Sequence, residues 1–203
     1  MKKVALFIDF ENLRKSIFDQ AVKYHFQKIN YNNPNCFIPF IKSFVNADEE
    51  IYRIFIYLSE PLKEVNYRGK NYDLSANAAH QMHVKFIESM QVQDYVAIRK
   101  GKLKFRGFKD KAQTKIDVVQ KQVDMLIGLD IAHVAYNKLV DRIMIFCSDT
   151  DIIPALKTAR INGLQVILTC CSDVQATNNG IKTHSDFVRD IKYQDILSKI
   201  IKP

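Results

Sequence analysis

The chain is poor in the residues that break secondary structure or separate domains. Its 203 residues include only six glycines and five prolines, which argues against a Gly-rich linker that would divide the chain. Hydrophobic residues make up 47% and charged residues 26%, the mixture of an ordinary globular protein, so global disorder is not expected. We therefore expect one domain over residues 1–203, with enough length to bury an ordinary core.

Cysteines and long apolar runs are also scarce. Four cysteines occur, with no Cys-x-x-Cys motif and no cluster of His and Cys at zinc-finger spacing. Cys147 and Cys170 stand inside apolar runs, where cysteine acts as a small buried hydrophobe. The first apolar run ends at Asp9 and is too short for a signal peptide. Nothing later approaches the roughly 18 apolar residues of a membrane-spanning helix, so we expect a cytoplasmic protein with reduced thiols and no membrane partner.

Acidic residues are the minority among the charges. The chain has 30 Lys and Arg against 22 Asp and Glu, a net charge of +8 at pH 7. Such an excess favours a polyanionic partner such as a nucleic acid, although it also serves solubility alone. The chain lacks a Walker loop, a Gly-x-Gly-x-x-Gly turn and a Ser-His-Asp set, so the catalytic chemistry must be sought elsewhere.

Apolar runs alternate with segments of helical periodicity. We predict strands at 3–9, 51–58, 142–147 and 165–170, and helices at 11–26, 37–47, 73–90, 114–136 and 151–162. Residues 94–108 predict two strands around Lys100-Gly101-Lys102, a β-hairpin extension. The alternation predicts a three-layer α/β/α domain with a mainly parallel central sheet, a Rossmann-like arrangement. The less regular segment 171–203 is expected to pack on this core.

Acidic side chains follow two of the predicted strands. Asp9 ends the first strand, and Asp149 and Asp151 follow the strand at 142–147. Because ligands bind beyond the carboxyl ends of parallel strands, we expect these carboxylates at one edge of the sheet, with Asn12 one turn beyond Asp9. For Asp151 a plain helix N-cap is the alternative, and Pro154 in the first turn fits a helix start.

The predicted helix at 114–136 adds more acidic residues. Asp117, Lys121 and Asp124 are spaced to share one helix face, and Asp130 lies further along. Taken singly, each is better explained as a solvated surface charge. Two carboxylates about 4 Å apart repel by roughly 1 kcal/mol in water and about 4 kcal/mol at an effective dielectric near 20. A cluster of them is therefore usually compensated by a divalent cation, and Mg²⁺ or Mn²⁺ prefers such oxygen ligands.

Three stretches resemble, in order, the motifs of NYN domains. They are FIDFEN (7–12), KQVDMLIGLD (121–130) and CSDTDIIPALKTARINGLQV (147–166). The resemblance spans residues 3–170, and it points to the LabA-like branch of the PIN-like ribonuclease superfamily. It implies a PIN-like fold and metal-dependent cleavage of RNA by an acidic cluster, with Mg²⁺ or Mn²⁺ as cofactor. Cys147-Ser148 departs from the family's usual Ser-Gly, and Ile152 replaces its Phe.

The resemblance also implies a set of site residues. The catalytic positions are Asp9, Asn12, Asp124, Asp149 and Asp151. The four aspartates among them would hold the metal ion. Additional candidates are Glu11, Lys121, Asp130, Ser148 and Thr150. Lys121 would pair with the carboxylates or contact a phosphate oxygen, and Ser148 or Thr150 would supply a hydroxyl group.

Basic residues concentrate between the two groups of motifs. Eight of the 17 residues at 99–115 are basic: Arg99, Lys100, Lys102, Lys104, Arg106, Lys109, Lys111 and Lys115. This basic segment predicts a phosphate-contacting surface for RNA, or else a merely solvated hairpin face. If five phosphates were contacted, the logarithm of the binding constant for single-stranded RNA would fall with the logarithm of the salt concentration at a slope of about −3.5. Phe105 and Phe108 are interleaved and could stack a base or pack in the core.

Three functions stay open at this point. The first is a metal-dependent ribonuclease, and the second is a non-catalytic RNA-binding module with the same fold. The third is a Mg²⁺-dependent phosphotransfer enzyme of the Toprim kind, which also carries Asp-x-Asp after a strand. A homodimer is compatible with all three. His80 and His83 are interpreted as helix-surface histidines, since no third metal ligand is evident.

Overall fold

The computed structural model describes residues 1–23, 30, 32–111, 113, 115–170 and 179–190. The strands are β1 Lys2–Asp9, β2 Glu49–Ser59, β3 Glu64–Tyr67, β4 Lys70–Asp73, β5 Val96–Phe108, β6 Ile116–Lys121, β7 Arg142–Phe146, β8 Gln165–Cys170 and β9 Phe187–Asp190. The helices are α1 Phe10–Lys23, α2 Pro34–Lys42, α3 Ala78–Gln91, α4 Val123–Tyr136, α5 Ile153–Ile161 and α6 Asn179–Lys182, with a 3₁₀ turn at Thr150–Ile152. The predicted helical residues 24–26 and most of the segment 171–203 lie outside the described residues.

A seven-stranded sheet organises the domain. Its order is β6-β5-β2-β1-β7-β8-β9, and every neighbouring pair is parallel except β5 with β6. The central strand β1 is buried on both faces, as expected of a parallel strand between helical layers. The predicted α/β class with a mainly parallel sheet is therefore confirmed. Within the described residues, no helix is both long and apolar enough to cross a membrane.

Alternation along β1 divides the core into two halves. Val4, Leu6 and Ile8 pack against α1, α2 and α3 on one face. Ala5 and Phe7 pack against α4 and α5 on the other. All five side chains are fully buried, so β1 is anchored from both sides and Asp9 leaves the sheet at a fixed position.

The β5 segment differs from the prediction. Residues 94–108 do not form a hairpin around Gly101; Val96–Phe108 form one long strand that changes partner there. Its first half pairs with β2 in parallel, and its second half pairs with β6 antiparallel. Gly101 lies where these ladders meet, and a Cβ there would come within 2.7 Å of both the Lys121 carbonyl oxygen and the Val123 side chain. The glycine serves close backbone approach rather than a turn.

The first part of the predicted helix at 114–136 forms a β-strand instead. Residues Ile116–Lys121 form β6, and α4 begins only at Val123. Gln122, with φ of 74°, adopts the left-handed conformation that separates the two elements. The β-branched Ile116, Val118 and Val119 favour the strand once β5 offers a partner. Asp117 and Lys121 therefore do not share a helix face with Asp124, and that part of the prediction is wrong.

Two helix starts also differ from the prediction. Helix α3 begins at Ala78 rather than at residue 73, after the cap Asn77, whose side chain accepts from the Ala79 N–H. Helix α2 begins at Pro34, after the Asn33 cap, and ends at Lys42. The segment between β2 and α3, for which no element was predicted, contains a small hairpin, β3–β4. Its turn at Arg68-Gly69 has positive φ at both residues, as a tight two-residue hairpin turn requires.

Candidate active site

A cleft of about 560 Å³ opens at the carboxyl edge of the sheet. Its lining comes from the end of β1, the start of α1, the end of β2, α3, the β5–β6 ribbon, the start of α4 and the loop after β7. The residues are Asp9, Glu11, Asn12, Arg14, Lys15, Ser59, His83, Leu103, Val118, Val119, Gln120, Asp124 and Asp149. Three of the four predicted metal-binding aspartates thus line one cleft, although they come from three separate elements.

Asp9 is the most buried acid of this cleft, at 6% exposure. Its Oδ1 accepts a hydrogen bond from the Asn12 backbone N–H at 3.1 Å. The Cys147 thiol lies 3.9 Å from its Oδ2. Burial raises the pKa of Asp9 to about 6, and the nearby carboxylate of Asp124 adds to the rise. The hydrogen bond from the Asn12 N–H acts in the opposite direction and lowers the pKa.

Asp124 and Asp149 complete the acidic side of the cleft. Asp124 lies in the first turn of α4, where burial and the charges of Asp149 and Asp151 raise its pKa. Asp149 accepts the Asp151 backbone N–H at 3.0 Å and is the N-cap of the 3₁₀ turn. The capping alternative considered for Asp151 is therefore wrong, because Asp149 is the capping carboxylate. Asp151 is exposed beside the cleft and acts on Asp124 through its charge.

Asn12 ties the two acidic strand ends together. Its Oδ1 accepts hydrogen bonds from the Ser148 backbone N–H at 3.2 Å and from the Ser148 hydroxyl at 2.9 Å. These bonds fix the loop after β7 against the start of α1. The Ser148 hydroxyl is thereby committed to Asn12, while Thr150 is exposed.

Of the five additional candidates, four do not belong to the cleft lining: Lys121, Asp130, Ser148 and Thr150. Asp130 accepts a hydrogen bond from the Tyr57 hydroxyl at 2.8 Å and two from the Arg99 guanidinium, each at 2.8 Å. It anchors α4 to the sheet instead. Lys121 ends β6 opposite Lys102 and is exposed.

Glu11 does line the cleft, and its carboxylate forms a 2.7 Å ion pair with Arg14. Several lining residues were not predicted. Lys15 follows Arg14 on α1, and Ser59 ends β2. His83 is half-buried within the cleft rather than at a helix surface. The basic pair on α1 could have been noticed from its spacing after Asp9, but the positions of Ser59 and His83 depend on how α3 packs against β2.

The donor chemistry of the cleft fits a hard divalent cation. Asp9, Asp124 and Asp149 offer carboxylate oxygens, and burial together with their mutual repulsion raises the pKa of Asp9 and of Asp124. Among the residues that the structure describes, no three His, Cys, Asp or Glu side chains converge tightly enough to form a ready metal-binding group. Mg²⁺ typically keeps several waters and uses only one or two carboxylates, so the donor set suits that ion without a closed cage.

The basic segment divides between ion pairs and open surface. Arg99 pairs with Asp130, and Lys100 pairs with Glu60 at 2.7 Å. Lys109 lies 3.9 Å from Asp117. The remaining members of the segment are all exposed: Lys102, Lys104, Arg106, Lys111 and Lys115.

The β5–β6 ribbon presents different chemistry on its two faces. Leu103 pairs with Gln120, and both line the cleft. Because side chains alternate along a strand, Lys102 and Lys104 project from the opposite face of the ribbon. Near the far end of the ribbon, Phe108 packs 5.4 Å from Tyr67 and 4.9 Å from Tyr72 between ring centroids. The interleaved phenylalanines therefore belong to an aromatic cluster with the β3–β4 hairpin.

The mostly parallel sheet flanked by helices is consistent with an α/β domain of the PIN-like class. The model of the NYN domain family matches residues 3–189, and the chain belongs to that family. Among solved structures, it resembles a protein of unknown function from Vibrio parahaemolyticus RIMD 2210633 with a TM-score of 0.52 and 14% identity. That alignment covers 94% of this chain and 93% of the other, which supports the fold. No curated protein matches the chain significantly in sequence.

Proposed function

We propose that the protein is a metal-dependent ribonuclease that hydrolyses phosphodiester bonds of RNA in this cleft. The observation that carries the proposal is the meeting of Asp9, Asp124 and Asp149, from three separate elements, in one cleft where the pKa of two of them is raised. A chain gains no stability from gathering like charges, so their assembly favours a role with a cation. The quoted motifs further support the LabA-like branch, and the sequence favours a cytoplasmic location.

Each residue of the cleft has a distinct task in this proposal. Asp9, Asp124 and Asp149 would hold Mg²⁺ or Mn²⁺, with Asp151 adding negative charge at the rim. When bound, such an ion lowers the pKa of a water and stabilises the negative charge that develops on the phosphate. Asn12 keeps the loop after β7 in position through Ser148. Lys15, exposed at the cleft, offers a positive charge to a phosphate.

The exposed part of the basic segment would extend RNA binding beyond the cleft. Lys102 and Lys104 alternate along one strand, so their charges follow one face of the ribbon, and Arg106 is exposed at the register shift that follows. Positive charge there offsets the repulsion between the acidic cleft and the RNA backbone. We expect this face to supply affinity that depends on salt but not on base sequence.

The test incubates purified protein with end-labelled RNA and either Mg²⁺ or Mn²⁺. Asp149→Asn should abolish cleavage while leaving RNA binding within a few-fold of wild type. Asp94→Asn is the matched control, because Asp94 is an exposed aspartate before β5, at the opposite edge of the sheet. Wild-type protein that cleaves no RNA with either metal, although it binds RNA, would refute the enzymatic proposal.

One observation favours a second candidate, a non-catalytic RNA-binding module. The described acidic residues do not form a converged three-ligand group. In that case the protein would bind RNA equally well with Mg²⁺ and with EDTA. Asp149→Asn would then strengthen binding slightly, because it removes a charge that repels the RNA backbone.

A further inference from the structure

His83 is a polar side chain of the cleft that the acidic cluster does not use. It lies on α3, is half-buried, and lines the same cleft as Asp9. Its Nε2 is 3.1 Å from the backbone carbonyl oxygen of Ser59, at the end of β2. Its ring packs edge-on against Phe86, with ring centroids 6.4 Å apart. The orientation of the imidazole is therefore set by a hydrogen bond and by packing.

This hydrogen bond determines which ring nitrogen carries the proton. A carbonyl oxygen only accepts, so Nε2 of His83 must donate and hold the hydrogen. In the neutral ring, Nδ1 is then a hydrogen-bond acceptor. Burial lowers the pKa of His83, and Arg14 and His80 act in the same direction against Glu11 and the Ser59 hydrogen bond; the net lowering favours the neutral ring. Among the described residues, no hydrogen bond occupies Nδ1.

The chemistry of RNA restricts what such an acceptor can bind. Bridging and non-bridging oxygens of a phosphodiester carry no hydrogen, so the backbone phosphate offers nothing for Nδ1 to accept. Along the sugar-phosphate backbone, the 2′-hydroxyl is the donor, and it is the group that DNA lacks. Donors on the bases vary with sequence, whereas the 2′-hydroxyl is present at every nucleotide.

We propose that His83 accepts a hydrogen bond from a 2′-hydroxyl of the nucleic acid in the cleft and thereby selects RNA over DNA. The inference rests on the proposed function and specifies its substrate class. It assigns His83 a place in substrate recognition, in the same cleft as the carboxylates that would hold the metal ion. The Ser59 carbonyl acts as the positioning group, because it fixes the ring nitrogen that accepts.

His80 provides a matched control on the same helix. Its Nδ1 lies 3.0 Å from the Leu62 carbonyl oxygen, so it also joins α3 to the chain after β2. It does not line the cleft. Replacing His80 removes a comparable bond without altering the proposed contact.

The experiment compares an RNA oligonucleotide with the same base sequence carrying 2′-deoxyribose throughout. Base contacts cancel in this comparison because both substrates carry uracil in place of thymine. The ratio of their kcat/KM values is measured for wild type, His83→Ala, His83→Phe and His80→Ala. The ratio of their Kd values is measured separately in an Asp149→Asn background, so the readout does not require cleavage. Thermal melting checks that each variant is folded.

We expect wild type to prefer RNA by about tenfold or more, the discrimination of one well-placed hydrogen bond. His83→Ala and His83→Phe should bring the ratio close to one, mainly by slowing RNA cleavage, and His80→Ala should preserve it. A wild-type ratio near one overturns the inference, and so does an equal loss on both substrates in the His83 variants. If wild type binds RNA without cutting it, the proposed nuclease fails, and the Kd ratios then decide the role of His83 on their own.

Discussion

Removing the buried charge of Asp9 should stabilise the metal-free protein while it abolishes cleavage. Asp9 is buried at the end of β1, and burial together with neighbouring carboxylates raises its pKa from 3.8 to about 6. Asp9→Asn keeps an oxygen that can accept from the Asn12 N–H and removes only the charge. A residue selected for folding alone would show the opposite effect when replaced.

The magnitude follows from linkage between protonation and folding. The pKa of Asp9 is near 3.8 in the unfolded chain and about 6 in the folded protein. The stability that the protonated group contributes is fully present below pH 3.8 and is lost as the pH rises through about 6. At pH 7.5 the ionised Asp9 therefore costs the folded state about 3 kcal/mol, at 1.36 kcal/mol for each pKa unit. Asparagine avoids this cost, so the gain should disappear below about pH 4.

Urea denaturation in EDTA measures the free energy of unfolding of wild type and Asp9→Asn at pH 4 and pH 7.5. We expect the variant to be more stable by up to about 3 kcal/mol at pH 7.5, a rise in Tm of roughly 6–12 °C for a domain of this size. Mg²⁺ should reduce the difference in unfolding free energy between the two proteins, because it stabilises wild type alone. A variant that is less stable at pH 7.5, or equally shifted at both pH values, would refute the electrostatic reasoning. Asp94→Asn serves as the control and should change little.

Three other perturbations test the fold and the basic surface. Glu49 is buried against two arginines that lower its pKa from 4.5 to about 2, so its stabilisation holds above pH 4.5 and is lost as pH falls through 2. Glu49→Gln should therefore cost about 3 kcal/mol of unfolding free energy at pH 7, and acid titration of wild type should show the loss. Gly101→Ala should destabilise by about 1–3 kcal/mol in urea, because its Cβ meets backbone at 2.7 Å. Replacing Lys102, Lys104 and Arg106 together by Ala should reduce the salt slope of RNA binding by about 2, and an unchanged slope would remove this face from the proposed interface.

The sequence predicts the parallel core well because that information is local. Continuous apolar runs ending in Asp9 and preceding Asp149 indicate buried strands and place both acids at one edge. The prediction for the β5–β6 ribbon is wrong because a glycine between two lysines indicates a turn when only its neighbours in sequence are considered. In the structure, Gly101 allows the close approach of the Lys121 backbone from another strand. His83 was placed at a helix surface because its burial depends on how α3 packs against β2. Long-range packing therefore accounts for what the local pattern missed.

Asp124 was predicted for a reason that proved partly wrong, yet it lines the cleft. The predicted helix face with Asp117 does not exist, since Asp117 lies in β6. Asp124 reaches the cleft because α4 begins at Val123 and directs its first turn there. A carboxylate in the first turn of a helix is favoured by the free N–H groups, and its own backbone N–H lowers the pKa of Asp124.

The other two acids have similar local compensation. Asp9 accepts the Asn12 N–H, and Asp149 accepts the Asp151 N–H. Each of the three aspartates thus receives a backbone donor from within its own turn, which offsets part of the repulsion among them. The chain can therefore fold with the carboxylates assembled before any cation binds. The spacings Asp-x-x-Asn and Asp-x-Asp reflect this requirement directly, because they place the donor where a turn after each strand can supply it.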